Sequence, residues 1–552
     1  MQKLKDMKYS SQGKWLNLDI FSSLLEESLD RSNRWYKLAN ALPWDKIERI
    51  YNSTLRNEHN GAGNKSARMI VGALIIKHQL CLSDIETIEQ IKENPYFQYF
   101  VGLREFSNIT LFDPSLFVSI RKRLGIENIN EITRLLMEVM SGKEAESKQS
   151  NRIDVSLANK DAGVDDEPQT GNDADKEVIA DGESFTDESG RLHAGRLIID
   201  ATCCDAEVKY PTDLDVLNDA IEVSARVLKR LCAKTGNPAP RTFEKAARSR
   251  FLEVVKKKRK SKSPVRKGIN RQLVYLRRHI DLLVSFVARN STSCIKLLKR
   301  RDQQFISTCI KVYHQQKGMY DQKVHQCPDR IVSVFQPHVR PMVRGKSKAK
   351  VEFGSKIGVS VVKGYTFLDR FSWDAYNEST DLKDHVAKYI ERFGCLPVKC
   401  YADKIYMNRE NRKWLKDHAI HAAGKPLGRP TKEMQTEEYK QQSIRDKGIR
   451  NGVEATFGTG KRVYHANDIR AKLPDTGDTW TAMCFLVKNI KKFLKDFLFG
   501  LLRILEVFAN KLNRRYALFR NRCYSLSDIS SMTKILNDYL RIIPTGFVPD
   551  TN

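Results

Sequence analysis

A mixed α/β domain with a helical segment inserted after its first strand, preceded by an all-α domain, is the fold class that this sequence predicts. Three observations predict it. Helix caps and helical apolar spacing occupy residues 66–123, β-branched runs end or recur at 197–200, 330–335, 350–373 and 396–401, and a basic helical stretch at 214–320 separates the first run from the others. At 552 residues the chain exceeds what one core usually covers, so two to four domains are expected.

Ser66 is placed to cap a helix running from Ala67 to Leu80 and ending near Cys81, with Met69, Ile70, Ala73, Leu74 and Ile75 as its apolar side. Ser83 followed by Glu86 reads as a capping box opening a second helix, Asp84 to Lys92, closed by Asn94-Pro95. Two helices joined by so short a turn are the pattern of a helix-turn-helix, and equally of an ordinary antiparallel helix pair. Asp113-Pro114 then opens a short helix ending in Arg121, Lys122 and Arg123, where cations suit a helix C-terminus as well as they suit phosphate. Residues 142–190 are rich in Asp, Glu, Gly, Ser and Asn and read as a flexible linker. After the run ending at Asp200, residues 214–320 read as long basic helices. KKKRKSKSPVRKG, Lys256 to Gly268, breaks them with a Pro and a Gly, which predicts a helical hairpin with a basic tip. A strand is expected at Arg330–Phe335. VEFGSKIGVSVV, Lys363-Gly364 and YTFLDRFSW form a β-hairpin pattern, Asp381–Phe393 a helix and Leu396–Tyr401 a buried strand. The expected domains are therefore a helical DNA-facing domain at 1–141, a linker at 142–190, an α/β core at 191–213 and 321–474, its basic helical insertion at 214–320, and C-terminal helices at 475–552 that pack on the core or pair protomers.

Charge narrows the partners. The 95 Lys and Arg against 67 Asp and Glu give +28, unevenly spread: residues 142–190 hold 14 acids and 5 bases, net −9, whereas 224–301 hold 24 bases and 3 acids, net +21. A local charge of that size attracts a polyanion, of which nucleic acid is the usual one, although a solvated helical face would also tolerate it. Lys256, Lys257, Lys258, Arg259 and Lys260 at the expected hairpin tip are the first candidates for phosphate contact, and their irregular spacing favours backbone over base recognition. Eleven cysteines without a CxxC pair argue for reduced thiols in a cytosol. MQKLKDMKYSSQGKWL lacks the apolar stretch of a secretory signal, and FLKDFLFGLLRILEVFANKL is broken by charges too often for a membrane span, so a cytoplasmic protein with no membrane partner is expected.

Three acids stand in distinctive settings: Asp200 in RLIIDAT, Asp403 in VKCYADK and Glu454 in IRNGVEATFGTGKR. The first two each close a β-branched run, which would hold a carboxylate rigidly at the end of a buried strand. Arg450, Glu454 and Lys461 fall at i, i+4 and i+11, on one helical face, with Arg462 next to the last. Three carboxylates from distant parts of a chain suffice to hold a pair of hard divalent cations for phosphoryl transfer on nucleic acid. Asp205, Asp213 and Glu352 compete for the same role. His193, His338 and His465 lack metal-ligand spacing, so zinc is not expected. GTGKR falls short of a GxxxxGK[ST] phosphate loop, which argues against a nucleoside triphosphatase.

Read in order, ARMIVGALIIKHQLCLSDIETIEQIKENPYFQYFVGL (67–103), LIIDATCC with YPTDLDVLNDA (197–220), QPHVRPMVRGKSKAKVEFGSKIGVS (336–360), YADKIYMNRENRKWL (401–415), and GKPLGRP with IRNGVEATFGTGKR resemble the DDE transposases of bacterial insertion sequences that carry an InsH-type N-terminal helical domain. The resemblance implies an RNase H-like core and Asp200, Asp403 and Glu454 as catalytic, metal-binding residues. It further implies two Mg²⁺ ions, for which Mn²⁺ substitutes, and Arg450 and Lys461 as the basic residues flanking the glutamate. Related groups carry a Tyr three residues before that Arg, where this chain has Lys447, which puts any role of that Tyr in doubt. The implied reaction is cleavage of double-stranded DNA at the element's ends and attack of the freed 3′ hydroxyl on target DNA, by a DNA-bound homodimer in the bacterial nucleoid. A metal-dependent nuclease that cuts without joining, a non-enzymatic DNA-binding descendant and an RNA-binding scaffold are the alternatives.

Overall fold

Short N-terminal helices come first in the computed structural model, which describes residues 24–55, 64–158, 184–259, 261–290, 292–343, 351–424 and 436–522. They are α1 (Leu24–Ser28), α2 (Arg34–Ala41) and α3 (Trp44–Ser53), followed by α4 (Ala67–Leu80), α5 (Asp84–Glu93) and α6 (Pro95–Phe100). The caps are those expected. Ser66 accepts the Met69 N–H and Ser83 the Glu86 N–H, while Cys81 takes the left-handed conformation that ends α4. The Glu86 carboxylate does not return to Ser83 and instead accepts from Gln90, so only half of a capping box forms. α4 is buried nearly all round, and Trp35 meets Phe97 and Phe100 edge-on at 5.0 and 5.1 Å.

The short helix expected to end near Arg123 is instead the start of α7 (Leu116–Ala158), broken in its helical geometry only at Gly125 (φ 65°). Apolar spacing explains the continuation, since Ile129, Ile132, Leu135 and Leu136 all bury. Of the expected linker, residues 142–158 continue α7, residues 184–186 form β1, and 159–183 lie outside the described residues. The chain beyond comprises β1 (Ser184–Thr186), β2 (Leu192–Ala194), β3 (Arg196–Asp205), α8 (Asp213–Thr235), α9 (Glu244–Val255), α10 (Lys262–Asn290), a 3-10 turn (Thr292–Leu297) and α11 (Arg300–Gln322). These are followed by β4 (Arg340–Val343), β5 (Val351–Val362), β6 (Tyr365–Ser372), a 3-10 turn (Glu378–Thr380), α12 (Leu382–Phe393), β7 (Lys399–Tyr401), α13 (Arg409–Asp417), β8 (His421–Ala422), α14 (Glu437–Arg462) and α15 (Gly477–Arg522).

Two expectations are corrected. The helical hairpin is four helices with a 3-10 turn: Pro264 sits in the first turn of α10, where an N–H has no helical partner to lose, and does not interrupt it. Arg330–Phe335 is not a strand. Ile331 and Val334 bury instead among the leucines of α8, α10 and α11, and the strand forms later, at β4.

Both β4 and β6 run antiparallel to β5, β5 antiparallel to β3, and β3 parallel to β7, which is parallel to β8. The β5–β6 turn is the one foreseen, with Lys363 (φ 49°) and Gly364 (φ 80°) both left-handed as a type I′ hairpin requires. β6 does not leave its outer backbone bare. Asn130 of α7 donates to and accepts from Leu368, and Asn489 of α15 does the same at Thr366, two amide side chains substituting for a further strand. Near its start α15 also covers α4, with Trp480 edge-on to His78 at 4.7 Å. Among the described residues, 24–141 with 184–494 make one compact unit, and 142–158 with 495–522 a second. No described helix is long and apolar enough to cross a membrane.

Candidate active site

Because β3 continues through Thr202, Cys203 and Cys204 to Asp205, paired residue by residue with β5 from Val361 to Gly354, Asp200 sits in mid-strand and not at a strand end as its sequence setting suggested. β7 is shorter than β3. It pairs only with Arg196, Leu197 and Ile198, so β3 runs on past it with one edge open. Asp403 lies two residues after the end of β7, where Lys404 N–H donates to its carboxylate at 2.8 Å and Tyr406 N–H to its carbonyl at 3.0 Å, closing a turn. Glu454 lies on α14 and is exposed.

Arg450, one helical turn before Glu454, brings these acids together. Its guanidinium lies 3.5 Å from Asp403 Oδ1 and 3.7 Å from Glu454 Oε1, and its charge acts on Asp200. Asp200 is pushed up to about 6, chiefly by burial and further by the charges of Asp403 and Glu378, while the Ala201 N–H and Arg450 oppose the shift. The guanidinium is thus the cation that Asp403 and Glu454 share in this structure. No hydrogen bond joins Thr202 to Asp200 among the described residues.

Two contacts outside the acids fix α14. Lys399 of β7 forms an ion pair with Asp446 at 2.8 Å, and Lys461 donates to the Cys203 carbonyl on the open edge of β3. Between them Val453 and Phe457 bury, and Gly460 lies so close to Phe485 of α15 that a Cβ there would come within 2.7 Å of the ring. Lys461 is therefore tied to the sheet, whereas Arg462 is exposed and, among the described residues, reaches the Gly458 carbonyl. Lys256 to Arg259 are exposed between α9 and α10, and Lys260 lies outside the described residues, as does most of GKPLGRP.

The competing acids have other partners. Asp213 pairs with Arg330 at 2.8 Å and accepts from Gln316, tying α8 to α11. Asp205 accepts from Asn467 at 2.7 Å and lies with Cys203 and Glu352 in a group whose donor atoms fall within 4.8 Å of one another, with Lys461 near enough to act on it. His193 meets Asp187, His338 lies against Trp373, and His465, in the turn after α14, takes a left-handed conformation. Sequence reasoning passed over Lys399, Asp446, Lys356, Glu378 and Asn411. Asn377-Glu378-Ser379-Thr380 forms a 3-10 turn, and nothing local in the sequence says that it lies near enough for Glu378 to act on Asp200.

Comparisons with known proteins bear on both ends of this arrangement. Residues 23–123 match a family described as "Transposase domain (DUF772)", and residues 400–491, which include Asp403, Arg450 and Glu454, match one described as "Transposase DDE domain". Over 120 residues the chain is 29% identical to "Uncharacterized protein ORF8 in nfe locus" of Rhizobium meliloti, a match covering 22% of this chain and 57% of that protein. No solved structure matches.

Proposed function

We propose that this chain, whose residues 23–123 and 400–491 match transposase domains, is an insertion-sequence DDE transposase, with Asp200, Asp403 and Glu454 as its catalytic carboxylates, acting in metal-dependent cleavage and joining of DNA ends. The observation that carries the reading is the position of Arg450, within 3.7 Å of both Asp403 and Glu454 while its charge acts on Asp200. The strand order β6-β5-β3-β7-β8, antiparallel across the first two pairings and parallel across the last two, supports an RNase H-like core.

The donor set fits hard divalent cations, since every ligand it offers is a carboxylate oxygen. Asp200, Asp403 and Glu454 would together hold two Mg²⁺ ions, with Mn²⁺ as a substitute. A divalent metal held by these residues would supply Lewis-acid activation of the attacking oxygen and charge for the leaving one. This chain's own residues position the reaction. The Lys399–Asp446 pair and Lys461 seat α14 against the sheet, and Arg450, released from its carboxylates, turns its planar fork to phosphate oxygens. Arg462 and the exposed Lys256, Lys257, Lys258 and Arg259, with Lys260 in the same run, contact the DNA backbone away from the centre. Recognition of the element's ends falls to the N-terminal helices. The solvent face of α5 carries Glu86, Glu89 and Glu93, so cations on α7 such as Lys122 and Arg123 are better suited to phosphate than α5 is. The partners are double-stranded DNA at the element's ends and target, and a second protomer on that DNA.

Cleavage and joining assays on duplexes bearing the flanking element's own ends, with Mg²⁺ or Mn²⁺, test this. Wild type should cut and join, while Asp200→Ala, Asp403→Ala and Glu454→Ala should bind DNA and do neither. Cutting without joining would favour a nuclease, and activity in the variants would remove the triad.

A further inference from the structure

Another acid is held beside the same carboxylates, and what it does there rests on the reading just given. Glu378 opens a single 3-10 turn, Glu378–Thr380, in which Asn377 accepts the Ser379 N–H at 3.1 Å. Asn411, only 4% exposed at the start of α13, donates from one amide nitrogen to the carbonyls of both Ser379 and Tyr406, each at 2.7 Å. Because Tyr406 N–H closes the Asp403 turn, one buried amide ties the Glu378 turn to the turn that presents Asp403. Glu378 is also near enough to Asp200 and Tyr406 for its charge to act on both.

From β5, Lys356 reaches Glu378 at 2.8 Å, the two side chains being 19% and 21% exposed. The same ammonium donates to the Tyr376 carbonyl at 2.8 Å and lies 4.8 Å from the centre of its ring. A compact ammonium on a flexible stem is the kind of positive charge that another cation can displace. Arg450 stands in the same relation to Asp403 and Glu454, so each of these acids already faces a protein cation.

We infer that Glu378 is a fourth carboxylate of the metal centre, and that Lys356 is its resident counter-cation, displaced when a divalent ion binds. The rival account is an ion pair that only pins the 3-10 turn to β5. Mn²⁺ titration of the metal-free full-length chain, by calorimetry or by the paramagnetic signal of free Mn²⁺, separates them. Glu378→Gln should weaken Mn²⁺ binding about tenfold or more, as loss of groups that orient or supply ligands does. Glu378→Asp should restore part of that loss, and Lys356→Gln should tighten binding because the competitor for Glu378 is gone. A pinning pair predicts instead that both substitutions lower the unfolding temperature and leave Mn²⁺ affinity unchanged, which would overturn the inference. If Glu378→Gln fails to fold, Lys356→Gln alone decides, since only displacement makes it bind more tightly. Asp200→Ala and Asp403→Ala belong in the same titration. If they lose Mn²⁺ while Glu378→Gln does not, only this inference fails; if they too bind as wild type does, or if wild type binds none, the triad reading falls with it.

Discussion

Asp200 keeps its proton to a higher pH in the folded chain than in the unfolded one, because burial and the neighbouring acids push it up to about 6. The folded state is therefore penalised above about pH 6 and relieved as the pH falls toward 4. Without divalent metal, Asp200→Asn should raise the unfolding midpoint at pH 7.5, by the equivalent of about 3 kcal/mol at most. Calorimetry of the two chains checks this, and an unchanged midpoint would mean that the carboxylate is already neutralised. His338 acts in the opposite sense. Burial and Arg340 push it down to about 4, so the unfolded chain takes up a proton between pH 6.5 and 4 that the folded chain refuses, and stability is lost through that window. His338→Phe, which can keep the edge contact with Trp373, should flatten that acid limb of the stability profile. Lys461 offers a third test. With its ammonium on the Cys203 carbonyl, Lys461→Met should lower stability by about 1–3 kcal/mol, the cost of leaving a buried acceptor unmade. A phosphate contact alone would leave the melting temperature unmoved and only lessen the salt dependence of DNA binding.

α14 transmits its seating to Glu454, so disturbing the helix at a distance should act on cleavage. In Gly460→Ala the added carbon would meet Phe485, itself fully buried, at 2.7 Å, and such overpacking costs about 1–3 kcal/mol. The expected result is a folded protein that binds duplex DNA normally and cleaves more slowly, measured by gel shift and cleavage on the same preparation. Elements whose signals are local could be read from the chain alone. Ser66 and Ser83 cap because a hydroxyl answers N–H groups two or three residues away, and Lys363-Gly364 turns because both residues accept positive φ. The acids of the candidate site were legible in the same way, each within a short motif. What was not legible depends on pairing across long stretches. The reach of β3 past Asp200 is set by β5, about 150 residues later, and Lys399–Asp446 or Glu378–Lys356 exist only once the sheet is assembled. Arg330–Phe335 failed for the converse reason: its alternation was real, but a helical core claimed it.

Across the whole molecule the excess of cations is the dominant electrostatic fact, and much of it lies in the insertion. Replacing Lys256, Lys257, Lys258 and Arg259 together by Ser should weaken binding to every duplex alike and flatten the plot of log affinity against log salt by up to about 3–4, as loss of four phosphate contacts would. An effect confined to the element's own ends would instead make that segment a reader of sequence. The shelf formed by α15 has a consequence for how the protein is made. Trp480 closes over His78, and Asn489 completes the edge of β6, so helices translated early stay uncovered until nearly 490 residues have been synthesised. A ribosome that halts before Gly477 releases every acid of the candidate centre, yet leaves α4 and β6 without their cover. Prematurely terminated copies should then be cleared by proteases sooner than the full chain, because the order of synthesis leaves their apolar faces open.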